Sequence, residues 1–167
     1  MSFHLMTIIE IEHFDNKGKS IWKQENISNV FHEEGQEFLL ANVFDTDFGV
    51  SVPSNYYIGL DNRDAIDVAD DLSLLSGEPV GNGYARQTCS STTGFTVGTF
   101  SGVKKARSAV KTFTASGGPF DEVQNVFLCT SADDSGFLIS STALSSSRIL
   151  LDGENLALRI SLSLNGC

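Results

Sequence analysis

Ten residues near the end of the chain do most to limit its fold. From Asn155 to Leu164, Leu156, Leu158, Ile160, Leu162 and Leu164 share one parity. Asn155, Ala157, Arg159, Ser161 and Ser163 take the other. Successive side chains of an extended strand point to opposite faces, so this alternation predicts one dry face and one wet face. A helix has no use for it, because a helical apolar stripe recurs every three or four residues. The start of the chain follows the same rule. Phe3, Leu5, Ile9 and Ile11 lie on one parity, with His4, Glu10 and Glu12 on the other. Asp15-Asn16-Lys17-Gly18 then offers reversal chemistry, and Ser20 to Glu25, with Ile21 and Trp22, returns as a second strand. Residues 1–27 therefore read as an N-terminal hairpin or arm.

The best helix candidate spans His32 to Phe44. Ser28 or Asn29 is the expected cap, and Glu33 and Glu34 suit the positive end of the helix dipole. Phe31, Phe38 and Leu39, with Ala41 or Asn42, fall near helical spacing. Gly35 costs about 1 kcal/mol against Ala inside a helix, so it marks either a close neighbour or the true start. Residues 28–54 thus form a helix and a loop, which Pro53 stops.

Beyond them, strands are expected at Asn55–Asp61, Tyr84–Ser90, Phe95–Phe100, Ala109–Ala115, Val123–Thr130 and Phe137–Leu144. Asp61 to Asp71 reads as an acidic excursion with one helical turn. Ser76 to Gly83 is turn-rich. Ser116-Gly117-Gly118-Pro119, Asp133-Asp134-Ser135-Gly136 and Asp152-Gly153 are reversals. Strands at about ten-residue spacing without long helices point to an antiparallel β-sandwich or a jelly-roll-like barrel. Residues 55–167 would be its core, within a single domain of 167 residues.

Composition agrees, at 41 % hydrophobic residues and a mean hydropathy of −0.02. Such a chain can bury a core. The formal net charge of −10 argues against a nucleic-acid partner, since phosphate binding needs clustered Lys and Arg. Lys104, Lys105, Arg107 and Lys111 are the basic cluster, read as an exposed loop and strand face. Its expected mate is an acidic neighbour such as the Asp61–Asp71 region of another copy. No run approaches the ~18 apolar residues of a membrane helix, so no membrane partner is expected. The segment MSFHLMTIIEIEH lacks the basic start of a signal peptide, and Asn26-Ile27-Ser28 is read as an idle glycosylation match. A soluble chain made in a cytoplasm is expected. Cys89, Cys129 and Cys167 are too few and too scattered for a disulfide framework or a metal knuckle.

Catalytic patterns fail one after another. His4, His13 and His32 are the histidines. His32-Glu33-Glu34-Gly35-Gln36 begins like a zinc-protease helix, but Gln36 stands where the second metal-binding His belongs. No G-x-S-x-G elbow exists. Gly81-Asn82-Gly83-Tyr84-Ala85-Arg86 lacks the third glycine of a dinucleotide loop. The carboxylates Asp61, Asp64, Asp67, Asp70 and Asp71 lack the spacing of a Ca²⁺ loop and read as a solvated segment. No enzyme, cofactor, metal site or catalytic residue is expected.

Two motifs remain: Tyr56-Tyr57-Ile58-Gly59-Leu60-Asp61-Asn62-Arg63, and Leu75-Ser76-Gly77-Glu78-Pro79-Val80-Gly81-Asn82-Gly83-Tyr84-Ala85-Arg86-Gln87. Together with Thr112 to Gly118, Val123 to Leu128, Leu151 to Leu164 and the HEEGQEF segment, they resemble a group of small β-rich virion structural proteins of tailed bacteriophages. The resemblance covers most of the chain and implies a structural part present in many copies. It implies no binding residue. The expected role is a capsid decoration, or cement, protein whose partners are the major capsid protein and copies of itself, with a trimer expected. The N-terminal hairpin would reach a neighbour. The alternatives are a tail-side part (tube, adaptor, baseplate or fibre attachment) and a carbohydrate-binding module using Trp22, Tyr56, Tyr57 and Tyr84 as stacking platforms.

Overall fold

The computed structural model describes residues 3–27, 29–45 and 47–166, and the side chains of 9–163 among them. Its elements are β1 (Phe3–Phe14), β2 (Ser20–Ile27), β3 (Val30–Phe31), α1 (Glu33–Phe44), β4 (Asn55–Asp61), a 3₁₀ turn (Leu72–Leu74), β5 (Gln87–Ser90), β6 (Phe95–Phe100), β7 (Val103–Ser108), β8 (Lys111–Thr114), β9 (Val123–Cys129), β10 (Leu138–Arg148) and β11 (Asn155–Gly166). The strands form two open sheets, and every pair is antiparallel. One runs β2-β1-β11-β7-β6, with β8 also on β11; the other runs β3-β10-β9-β4-β5. The fold is a mainly β sandwich, and the barrel does not close.

The opening alternation builds the centre of the first sheet. β11 pairs with β1 from Asn155↔Phe14 to Gly166↔Phe3. The hairpin is therefore part of the sandwich rather than a free arm. Ile9, Ile11, Leu156, Leu158 and Ile160 point inward and meet Ile58, Leu60, Val126, Leu128 and Ile139 of the other sheet, all 3 % exposed or less. Each such side chain gains about 1.5–3 kcal/mol by leaving water. The opposite face is polar but not uniformly wet, since Ser161 and Ser163 are buried. Ser161 sits opposite Arg107 of β7, a short side chain beside a long one. Arg107 and Arg159 both reach Glu10 across this outer face.

Three expectations need correction. Asn29 does not cap α1: the cap position is His32, which makes no side-chain capping bond. Ser28 lies outside the described residues. Instead the Glu33 N–H donates to the Val68 carbonyl, and Glu34 Oε2 accepts from the N–H groups of Leu72 (2.9 Å) and Leu138. The helix start is tied to its neighbours instead of capped locally. Gly35 is explained by close approach, because a Cβ there would lie 2.6 Å from the Ile139 carbonyl oxygen.

Secondly, Lys104, Lys105 and Arg107 lie not in a loop but in strand β7, paired with β6 through a two-residue turn at Ser101-Gly102, both at positive φ, while Lys111 lies in β8. Thirdly, the acidic excursion is not merely a solvated loop. Ile66, Leu72 and Leu75 turn inward and pack on Phe127, Cys129 and Leu138, forming a second core on the far side of the second sheet. A sheet covered on both faces needs apolar residues on both parities, which is why β9 is buried along nearly its whole length.

Candidate functional site

The two sequence motifs meet at one place on this second core. Gly59 lies opposite Phe127 on β9, and a Cβ there would fall 2.1 Å from the Phe127 ring. Glycine leaves the space the ring fills. The Arg86 guanidinium lies over the Phe127 ring, 5.2 Å from its centroid. It forks onto Glu78, with Nε 3.0 and 3.1 Å from the two carboxylate oxygens. It also donates to the carbonyls of Ser131 and Asp133 and to the Asp134 carboxylate. Planar five-donor geometry makes such a clasp possible, and lysine could not reproduce it.

Tyr84 completes the knot. Its hydroxyl donates to Glu78 Oε2 and accepts from the Leu60 N–H at 2.9 Å. β5 stops pairing with β4 at Ile58, so this hydroxyl satisfies a backbone donor beyond the end of the neighbouring strand. Burial, reinforced by the Glu78 charge, raises the Tyr84 pKa far above that of a free phenol. Burial works against the Arg86 charge, yet Glu78 and Asp134 more than offset it and the guanidinium pKa rises. The Cys129 thiol beside them is pushed up to about 12 by burial, so it is an inert core group. Hydrogen bonds from the Ser131 and Ser135 hydroxyls hold Asp133 down at about 2. Asp61, fully buried, repeats the theme: it accepts from the Arg63 N–H and Nε and from the Gly77 N–H. The motif residues thus hold a loop layer onto a sheet.

The other candidates are also engaged. His13 is 3 % exposed, and its Nε2 lies 3.1 Å from Glu154 Oε2. That carboxylate also accepts from the Leu151 N–H, which fixes the turn before β11. His32 is fully buried with Nε2 2.8 Å from the Ser141 hydroxyl. Neither imidazole opens onto solvent where a substrate could meet it. His4 lies outside the residues whose side chains are described. Asp70 pairs with Arg63, and Asp71 accepts from the Leu74 N–H at the 3₁₀ turn. Among the described residues no group of three His, Cys, Asp or Glu is placed to hold a metal ion, and no helix is long and apolar enough to cross a membrane. Cys89 and Cys129 are free and buried, while Cys167 lies outside the described residues.

Trp22, Tyr56, Tyr57 and Tyr84 are all half-buried and packed on the cores. Tyr84 stacks on Phe113, Tyr56 sits edge-on between Phe38 and Phe95, and Arg148 lies over the Trp22 ring. None stands out as an open platform for a sugar.

One exposed face is apolar. α1 buries a narrow stripe, Gly35, Phe38 and Ala41. Leu40, Val43 and Phe44, at i, i+3 and i+4, form its other face and are 60, 66 and 81 % exposed. Phe48 of the next loop extends the patch, and Glu37 and Asp45 rim it. The sequence reading noted helical spacing at Phe31, Phe38, Leu39 and Ala41 or Asn42 and did not separate two apolar faces. The alternation rule that works for strands gives no warning when a helix is apolar on both sides. No family model, curated protein or solved structure matches the chain.

Proposed function

We propose that this chain is a virion structural protein of a tailed bacteriophage, a decoration protein that binds the assembled major-capsid shell. The observation that carries the reading is the exposed α1 face. Leu40, Val43 and Phe44 lie side by side in water, rimmed by carboxylates. Contiguous apolar surface of this kind marks an interaction site. The acidic rim suits a shell surface whose apolar pocket is edged with Lys or Arg. The motif resemblance supports the virion setting. So does a sandwich whose polar side chains are spent on internal bonding, which fits a part that works by contact alone.

The mechanism is linkage. A protein that binds the shell and not its dissociated subunits shifts the equilibrium toward the shell. Many copies repeat the contact, so each one can be modest in size. The net charge of −10 keeps the free protein soluble until a shell is present.

Heads and tails of the purified particle, separated and counted for this chain, test the location. Many copies on tailless heads support decoration. Few copies, confined to tails at a ring number, would transfer the same surface to a tail-side part and end this reading.

A further inference from the structure

The first sheet ends at β6, and the sandwich is open beside it. An apolar gap of about 270 Å³ lies there, lined by Phe38, Tyr56, Phe95, Ala106, Leu128 and Leu162 among others. Val97 of β6 stands at its mouth, 79 % exposed. Backbone geometry makes this edge receptive. In the two-residue hairpin the closing pair Phe100–Val103 is hydrogen-bonded, and bonded pairs then alternate. Phe95, Val97 and Thr99 therefore turn their N–H and C=O groups away from β7. Nothing else pairs with β6 among the described residues.

The other edges are blunted, as edges in natural sheets usually are. β3 has two residues, and β5 and β8 have four each, β8 opening on Lys111. β2 carries Lys23 and Glu25, and its pairing with β1 is broken by register shifts, with Asn26 at φ 57°. β6 has none of these devices. From Gln87 to Val103 no residue is charged, in a chain that is 19 % charged.

We infer that β6 is a strand-addition edge that pairs antiparallel with β6 of a second copy, making one continuous sheet across a two-fold dimer. The uncharged, self-complementary edge admits a second copy as the occupant. Two chains of net charge −10 repel over most of their surface. At this edge no ionisable group of β6 opposes its mate; Lys104, Lys105 and Arg107 sit one strand away on β7, and Arg107, which lies over the Phe100 ring, is already paired with Glu10. The sequence Phe-Thr-Val-Gly-Thr-Phe suits a dyad through Val97. Val97 then exchanges both backbone bonds with its own copy, and Phe95 does so with Thr99. The inward-facing Val97 side chains meet at the mouths of the two gaps and close them. An isologous contact of this kind gives a dimer, in place of the expected trimer. The inference stands apart from the proposed shell contact, which uses α1.

Sedimentation of the full chain over a concentration series tests it. The wild type should dimerise. Val97→Pro removes a donor that faces away from β7, so the β6–β7 pairing survives it. Val97→Lys places a charge at a position already exposed. Each should raise the dimer dissociation constant at least tenfold, and hydrogen exchange should show the Val97 and Thr99 amides protected in the wild-type dimer alone. A wild type that stays monomeric at the highest soluble concentration would overturn the inference, even if a foreign segment later protects those amides in a particle. So would a dimer that both variants leave intact, or one lost only on Phe44→Asp.

Discussion

Gly59 and Phe127 are two halves of one shape. An alanine at 59 would drive its methyl into the Phe127 ring, 2.1 Å away, with β4 and β9 held by the ladder on either side. Overpacking of this kind costs about 1–3 kcal/mol. Gly59→Ala should therefore lower the denaturant midpoint. Phe127→Leu alone should also destabilise, by leaving a void. The double variant should lose less than the sum of the two, because the shorter side chain frees the space the methyl needs. Strict additivity in a double-mutant cycle would contradict the contact. His32 makes a pH prediction at the same scale. Burial holds its pKa below the ordinary value, against partial compensation from the backbone carbonyls of Val68 and Asp67. The unfolded chain, with a His pKa near 6.5, then binds more protons than the native one in the window below that pH. Stability rises with pH wherever the unfolded state holds more protons. The His32 contribution should thus be complete above about 6.5 and be lost on acidification through the lower folded pKa. Chemical denaturation at pH 7.5 and 5.5 should reveal this loss in the wild type and a shallower one in His32→Gln. Equal slopes would remove His32 as its source.

Among the elements, the layer from Asn62 to Arg86 depends on its clasp. Arg86 ties Glu78 to the 131–134 turn and covers Phe127. Arg86→Ala would leave Glu78 without its counter-charge and uncover the ring. Removing one partner of a largely buried pair costs about 3–5 kcal/mol. Because Glu78 keeps some solvent contact, the lower end is expected. Hydrogen exchange should quicken first in residues 62–86, while β1 and β11 stay protected; uniform acceleration would mean that the layer is not a separate unit. Strand elements were readable from the sequence because a half-buried strand advertises itself by parity. The same reading missed β7, since Lys104, Lys105 and Arg107 look like a loop unless their stems are known to lie on a sheet face. It also took the acidic stretch for a solvated loop. Ile66, Leu72 and Leu75 are too sparse and irregular to reveal a second core, and Asp61 gives no local sign that its partners are Arg63 and the Gly77 N–H.

At the scale of the whole molecule, the sandwich class followed from strand spacing, but the integration of the hairpin did not. Pairing of β1 with β11 joins the two ends of the chain, a long-range choice that no local pattern encodes. The motif residues were legible as a set, but not what they do: they build the clasp and the turns, while the exposed apolar helix face belongs to α1, where the sequence pattern is least informative. In the proposed function this surface joins the chain to a capsid shell. The most direct test of that contact is titration of the purified protein onto expanded tailless heads, with copies counted on the pelleted shells and the shell melting temperature recorded, for the wild type beside Leu40→Asp/Phe44→Asp. The account predicts saturable binding of many copies and a raised shell melting temperature for the wild type. It predicts little of either for the double variant, whose own fold should remain intact because both side chains already face water. No binding by the wild type, or equal binding by the two proteins, would contradict it.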